Sequence, residues 1–369
     1  MRKFISLMLL SFLILSSFIT TFNAVSATDL VENSWNTKTP MNQARSDLSV
    51  VAVDGKIYAI GGQTNDGYVG TNERYDPKTD MWVTLTPMPT PRISLAIAAY
   101  DGKIYCISGG IYPEDNPEIG ASWRSNVVEI YDIAANSWST AKSPASFTGS
   151  GQAHVVDGKI FVIVGNALHM YDPATDVWTR KTDAPLFLFH PASAIVDDKI
   201  VLTGNFIVAM SPTTYALKSL IYDPKTDEWS EGKTVTTLTG RGVAVATTGV
   251  YAPQKVYVLG EDQILTYELA TDNWSIVVQT GPSIDRFCAA VIDDVVYVIG
   301  GSINEQYVPI GYNASLPPTT SPPASAPVIP SEPHPNYLYR VLIVAVVGIT
   351  VISLFFCFKK RTPKNSGKN

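Results

Sequence analysis

The chain repeats itself, and a period of roughly 20–50 residues is the signature of solenoids, propellers and repeat arrays before any local structure is considered. One block reads Asp54-Gly55-Lys56-Ile57-Tyr58-Ala59-Ile60-Gly61-Gly62. It returns as DGKIYCISGG at 101–110, DGKIFVIVG at 157–165, DDKIVLTG at 197–204, PQKVYVLG at 253–260 and DDVVYVIGG at 293–301, six copies in all. A second block follows each of the first five: RYDPKTDMW (74–82), IYDIAANSW (130–138), MYDPATDVW (170–178), IYDPKTDEW (221–229) and TYELATDNW (266–274). Counted from Trp35, successive in-phase tryptophans lie 47, 56, 40, 51 and 45 residues apart.

Each copy spells four strands. Runs of small or β-branched residues such as SVVAV (49–53), LAIAAY (95–100) and FCAAVI (287–292) suit an innermost strand beside a crowded axis. Asp-Gly then makes a two-residue hairpin turn, because Gly accepts positive φ at no steric cost. The next strand is β-branched and aromatic and ends in Gly, where neighbouring backbones can approach closely. The YDP-x-TD-x-W block reads as a third strand, a turn begun by Asp-Pro, and a fourth strand carrying Trp. Four such strands make one propeller blade. Period, double glycine and registered Tyr and Trp resemble the kelch repeat from Asp29 to about Tyr312. The resemblance implies an all-β fold, a six-bladed β-propeller of four-stranded antiparallel blades. The sixth copy has no Trp after Gly301, whereas Val31–Trp35 reads as an orphan fourth strand. The chain's two ends are therefore expected to share the last blade, which removes exposed sheet edges.

The flanks carry an address. Residues 1–27 begin with Arg2 and Lys3, run through apolar Phe4–Ile19 and end in Ala24-Val25-Ser26-Ala27, the layout of a signal peptide; an uncleaved anchor is the rival reading. The domain expected at 28–312, with 28–35 as its closing strand, is followed by a Pro-rich stalk at 313–336, which holds eight of the 25 prolines. As polyproline it reaches roughly 70 Å at about 3.1 Å per residue. Tyr337–Phe358 is expected to be a transmembrane α-helix at the C-terminus: Val341–Phe358 has no charge and is about 27 Å long at about 1.5 Å per residue. The basic tail at 359–369 places the C-terminus in the cytoplasm and the propeller outside, by the positive-inside rule.

The formal net charge of −6 conceals an asymmetry, since all 33 acidic residues lie between Asp29 and Glu332 while the two ends are basic. So acidic a domain repels phosphate backbones, and nucleic acid is not an expected partner. The three cysteines form no CxxC pair; Cys106 and Cys288 are read as lying on inner strands of separate blades, with no disulfide expected.

Function is expected on one face. The turns from first to second strand (Asp-Gly) and from third to fourth (Asp-Pro) are short and nearly invariant, whereas the second-to-third connections vary and share their face with the fourth-to-first connections. Variable loops on a fixed scaffold are where binding is usually built. Arg45, Arg92, His190, Arg241 and Arg286 precede or begin the inner strands, and guanidiniums converging on a channel mouth would favour an anionic group, with structural pairing to carboxylates as the alternative. The blade 2 loop adds Tyr112 and Trp123, an aromatic plate suited to a sugar ring or a protein hot spot, or else to packing the loop on its blade. No HExxH, GxSxG or phosphate-loop pattern occurs, and the histidines lack the pairing that the copper oxidases of the family need. No catalytic residue, metal or cofactor is therefore expected. The combined expectation is a cell-surface binding module for an extracellular protein or glycan, held to the membrane by its C-terminal helix. The alternative is an extracytoplasmic sugar-modifying enzyme resembling the family's sialic acid mutarotase.

Overall fold

The computed structural model of the chain describes residues 30–111, 123–144, 149–210, 213–235, 242–260, 263–277 and 286–315. Six four-stranded antiparallel sheets are present, each ordered from an inner to an outer strand. The inner strands are Ser49–Val53, Ala96–Tyr100, Gln152–Val156, Phe189–Val196, Val243–Ala246 and Cys288–Ile292. Each neighbours the next, and the last returns to the first. The architecture is a closed six-bladed propeller.

Local chemistry dictates each blade. Val53 pairs with Lys56 across Asp54 and Gly55, whose φ of 49° and 68° is the doubly left-handed turn that matches strand twist. The second strand of blade 1 ends in Gly because nothing larger fits there. A Cβ on Gly61 would stand 2.5 Å from the Arg92 carbonyl oxygen, and Gly62 uses the space to donate to that same oxygen at 2.9 Å. In the third strands Tyr75, Tyr131, Tyr171, Tyr222 and Tyr267 donate to the last residue of the following turn, Asp80, Asn136, Asp176, Asp227 and Asp272. All five acceptors have positive φ. The in-phase tryptophans staple one blade to the one before: Trp82 Nε1 donates to Thr39 O, Trp138 to Thr86 O, Trp178 to Lys142 O, Trp229 to Thr182 O and Trp274 to Lys233 O. The buried clusters accordingly lie between blades, each drawing on two neighbouring sheets.

Blade 6 is completed from the other end of the chain. Ser34–Thr37 pairs antiparallel with Ile303–Val308, setting Trp35 opposite Tyr307. The strand begins three residues later than the Val31–Trp35 expected from the motif, because Val31 is exposed and the turn at Asn33 precedes it.

Three expectations need correction or relocation. The first-to-second turns are not uniformly short: in blade 5, where the sequence reads Pro-Gln-Lys in place of Asp-Gly-Lys, the connection runs from Thr247 to Lys255. Cys106 lies on a second strand, Lys103–Ile107, rather than an inner one. The signal segment, most of the stalk and the C-terminal helix lie outside the described residues. Among the described residues no helix is long and apolar enough to cross a membrane.

Candidate functional site

The six inner strands enclose an axial channel of about 970 Å³, within the range of small-molecule sites. Strand register gives every channel residue an address. In each blade the phased Tyr fixes its partner on the second strand, and three positions further along, that strand crosses to the inner one. This returns Ser49, Ala96, Gln152, Ala192, Val243 and Cys288 as equivalent positions.

Two residues earlier stands the rim: Asp47, Ser94, Ser150, His190, Arg241 and Arg286. Asp47, Ser94 and Arg286 share the left-handed conformation, with φ of 52°, 49° and 59°. A line of backbone bonds joins them around the mouth, Ser94 N donating to Asp47 O at 2.8 Å and Asp47 N to Arg286 O at 3.4 Å. The Arg286 guanidinium, 46% exposed, meets the Asp47 carboxylate at 3.2 Å. Phe187, 58% exposed, also lines the opening. His190 has its backbone in the blade 4 inner strand, at a register shift between Phe189 and Ala192. Arg241 matches the rim position by sequence count but, like Tyr112, lies outside the described residues.

Arg45 and Arg92 are a different device. They fall four residues before the equivalent positions, not two, and both side chains are fully buried. Arg45 pairs with Glu73 and donates to the carbonyls of Ala59 and Gly61 at 2.9 Å. Arg92 meets Glu129 at 2.8 Å and donates to the carbonyls of Ser108 and Val127 at 2.9 and 2.8 Å. Burial draws both guanidiniums below their usual pKa, and the glutamates oppose that shift. Expected at the mouth, these arginines instead occupy the blade interior, where they donate to carbonyls and a glutamate of blades 1 and 2. The same position holds Leu188 in blade 4, buried in an apolar cluster.

The rim face also bears the variable connections. Blade 1 adds a small hairpin of Gln63–Thr64 with Gly67–Tyr68, and blade 2 one of Gly110–Ile111 with Trp123–Arg124. Trp123 thus enters a strand at the base of the blade 2 loop, paired with Ile111. Blade 4 extends farthest, its second and third strands running as Lys199–Met210 and Thr213–Asp223. Blade 3 turns directly from Val164 to Ala167.

Sequence reasoning missed the channel wall. Gln152, His154 and Ser193 form one hydrogen-bonded group across blades 3 and 4, with His154 Nε2 at 2.6 Å from Ser193 Oγ. Where blade 3 has His154, the other copies place Val51, Ala98, Ala194, Val245 and Ala290; where blade 4 has Ser193, they place Val50, Ile97, Ala153, Ala244 and Ala289. Aligning the copies on their tyrosines would have exposed both. Burial holds His154 down at about 4, so the ring is neutral at physiological pH. Cys288, also on the wall, donates to Leu48 O, and burial pushes its thiol up to about 12. No cluster suited to a metal ion occurs among the described residues.

Residues 44–89 match the Kelch motif family, a stretch that holds Arg45, its partner Glu73 and most of blade 1. Kelch-like protein terF of Aspergillus terreus is 33% identical over 142 residues, covering 33% of this chain and 30% of its own length. Human Kelch-like protein 30 is 36% identical over 205 residues, covering 54% of this chain and 33% of its own length. The chain thus spans about a third of each of these relatives. Among solved structures, the one titled "Structure of YjhT" superposes with a TM-score of 0.57 over 72% of this chain and 94% of that one, at 15% identity. At that identity the likeness is one of fold.

Proposed function

Because the chain is a kelch-repeat protein built as a six-bladed propeller, a fold suited to protein binding, we propose that it is a binding module whose rim face receives an extracellular protein. One observation carries this reading. The hairpin extensions of blades 1, 2 and 4 rise on the same face as the Arg286–Asp47 pair and exposed Phe187, while the opposite face is made of short repeated turns except at the blade 5 connection from Thr247 to Lys255. An exposed aromatic and a half-exposed guanidinium on one rim, ringed by variable loops, have the composition of an interaction hot spot. A glycan is the other partner such a rim suits.

The proposed setting is the outer surface of a membrane. Its support is sequence: the apolar run 341–358, the basic tail that follows, the proline segment 313–336 and the signal-like 1–27. Screening the full chain on arrays of surface proteins and glycans tests the binding reading. Saturable retention on one class of probe, weakened at least tenfold in the Phe187→Ala, Arg286→Ala double variant with an unchanged melting transition, is the expected result. Retention that the double variant leaves intact would remove the rim from the interface. Labelling of intact cells by a membrane-impermeant lysine reagent tests the setting, with the propeller lysines modified and the tail lysines protected.

A further inference from the structure

The hydrogen bonds of the channel wall determine one another. Gln152 Nε2 donates to the carbonyl oxygen of Pro191, which cannot accept from an oxygen, so the amide of Gln152 has one orientation. Its Oε1 then faces Ser193 and takes the only proton that the serine hydroxyl has. Ser193 Oγ is left as the acceptor in its 2.6 Å contact with His154, and His154 Nε2 must carry the hydrogen. A neutral imidazole has one N–H, so Nδ1 is a bare acceptor, and it takes no hydrogen bond from the described residues. The same chain of bonds denies Ser193 the role of a base-activated nucleophile, since the nitrogen facing it is already protonated.

We propose that the channel wall between blades 3 and 4 is a binding site for an uncharged hydroxyl group carried on an apolar ring or chain, with His154 Nδ1 as its acceptor. The surroundings select for that class. Apart from this group the wall is chiefly aliphatic, as at Val51, Ile97, Ala194 and Val245. Among the described residues, Asp47 and Arg286 are the charged residues of the lining, and they neutralise each other at the rim between blades 6 and 1, across the ring from His154. His154 sits four positions farther along its strand than the rim residue Ser150, roughly 13 Å at about 3.3 Å per residue. Among the described residues a carboxylate there would face a lone pair and no cation. An ammonium would be stripped of water with no anion among them to meet it. Burial, which keeps the imidazole neutral, works in the same direction. The site is separate from the rim and stands whether or not a macromolecule binds there.

The test uses the full chain in detergent micelles with its four histidines ¹⁵N-labelled, and two probes on one ring, trans-1,4-cyclohexanediol and cyclohexane-1,4-dicarboxylate. His154→Gln assigns the spectrum. The expected result is an Nε2–H pattern for His154, a saturable shift of its Nδ1 resonance by the diol, and no shift by the dicarboxylate. Ser193→Ala should weaken the diol about fivefold, the scale of one net hydrogen bond. An Nδ1–H pattern, an unmoved Nδ1 in the presence of the diol, or an equal response to the dicarboxylate would each overturn the proposal. The two-probe comparison needs no variant, so a misfolded substitution cannot mask the answer.

Discussion

The phenol of Tyr307 donates to Asn33 Oδ1 at 3.1 Å across 274 positions of chain. It is the sixth instance of a bond that elsewhere spans five residues, from Tyr75 to Asp80 and its counterparts, and Asn33 shares their positive φ at 53°. The two ends of the propeller therefore interlock through the blade's own internal bond, split between distant segments.

Asn33→Ala should lower stability by about 1–3 kcal/mol, combining a lost net hydrogen bond with the cost of holding alanine in the left-handed region, which the polar side chain of Asn tolerates better. Asn33→Asp should be nearly neutral, since four of the other five copies use Asp there. Deleting residues 28–35 removes Asn33, Trp35 and the first half of the closing strand and should abolish the cooperative transition. Urea melts of the three variants distinguish these outcomes, and an unchanged melt for the deletion would contradict ring closure.

Arg92→Met and Glu129→Gln should each destabilise the fold by about 3–5 kcal/mol, because either change leaves its buried partner uncompensated. Arg286→Ala should cost less than about 1 kcal/mol, its ion pair being half exposed at the rim. The contrast in chemical denaturation separates an arginine that builds the propeller from one that its surface can use. Equal effects would merge the two classes.

That division was beyond the sequence alone for a definite reason. Arg45, Arg92, Arg241 and Arg286 all precede an inner strand, and composition treats them alike. Only strand register shows that the first two stand four residues ahead of the equivalent position and the last two stand two ahead. Blade count, hairpin turns and the closing strand were legible, because Tyr, Trp and Gly recur at fixed phase and each has one physical role. His154 and Ser193 were not singled out because their partnership runs between sheets, and no spacing along the chain encodes it. The long blade 5 connection was hidden by its place in an otherwise regular copy of the motif.

Trp82→Ala should cost about 3–5 kcal/mol, the range for a large aromatic removed from a core, since Trp82 is only 7% exposed and packs on Tyr75 at 5.0 Å. Trp229→Ala should cost less. Trp229 makes the same contacts, with Tyr222 at 5.1 Å and with Thr182 O, but is half-buried, so fewer contacts are lost and water can enter the space. Thermal melts of the two variants side by side check the order; a larger loss at Trp229 would contradict the burial argument.

Asp294 anchors the blade 5 connection. Its carboxylate is buried and accepts from Thr248 N and Oγ1, Tyr251 N and Ala252 N. Asp294→Ala strands these donors and should cost on the order of 3 kcal/mol, the scale of hydrogen bonds to a charged group. Limited proteolysis should then cut within 247–255 before the rest of the domain opens. Cleavage no faster than in the parent protein would mean that the segment is held by other contacts.

Stability should fall as pH drops from about 6.5 toward 4, and His154 should be a principal cause. Burial lowers its pKa from 6.5 to about 4, so in that window the unfolded chain binds a proton that the folded channel refuses. Uptake of protons by the unfolded state makes stability rise with pH; the contribution is complete above 6.5 and lost on the way down to 4, on the order of 2 kcal/mol for a half-buried ring. His169, also lowered chiefly by burial, acts in the same direction. The carboxylates act later. Asp172 and Asp223 are held below 3.8 foremost by hydrogen bonds from Lys159 and Lys199, so their contribution is present above 3.8 and disappears only as pH falls through their lower folded values. His154→Gln should flatten the decline between pH 6.5 and 4 and leave the acid limb below it unchanged. Urea midpoints measured from pH 8 to 3 for both proteins test this, and parallel curves through the upper window would show that His154 does not titrate as its burial requires.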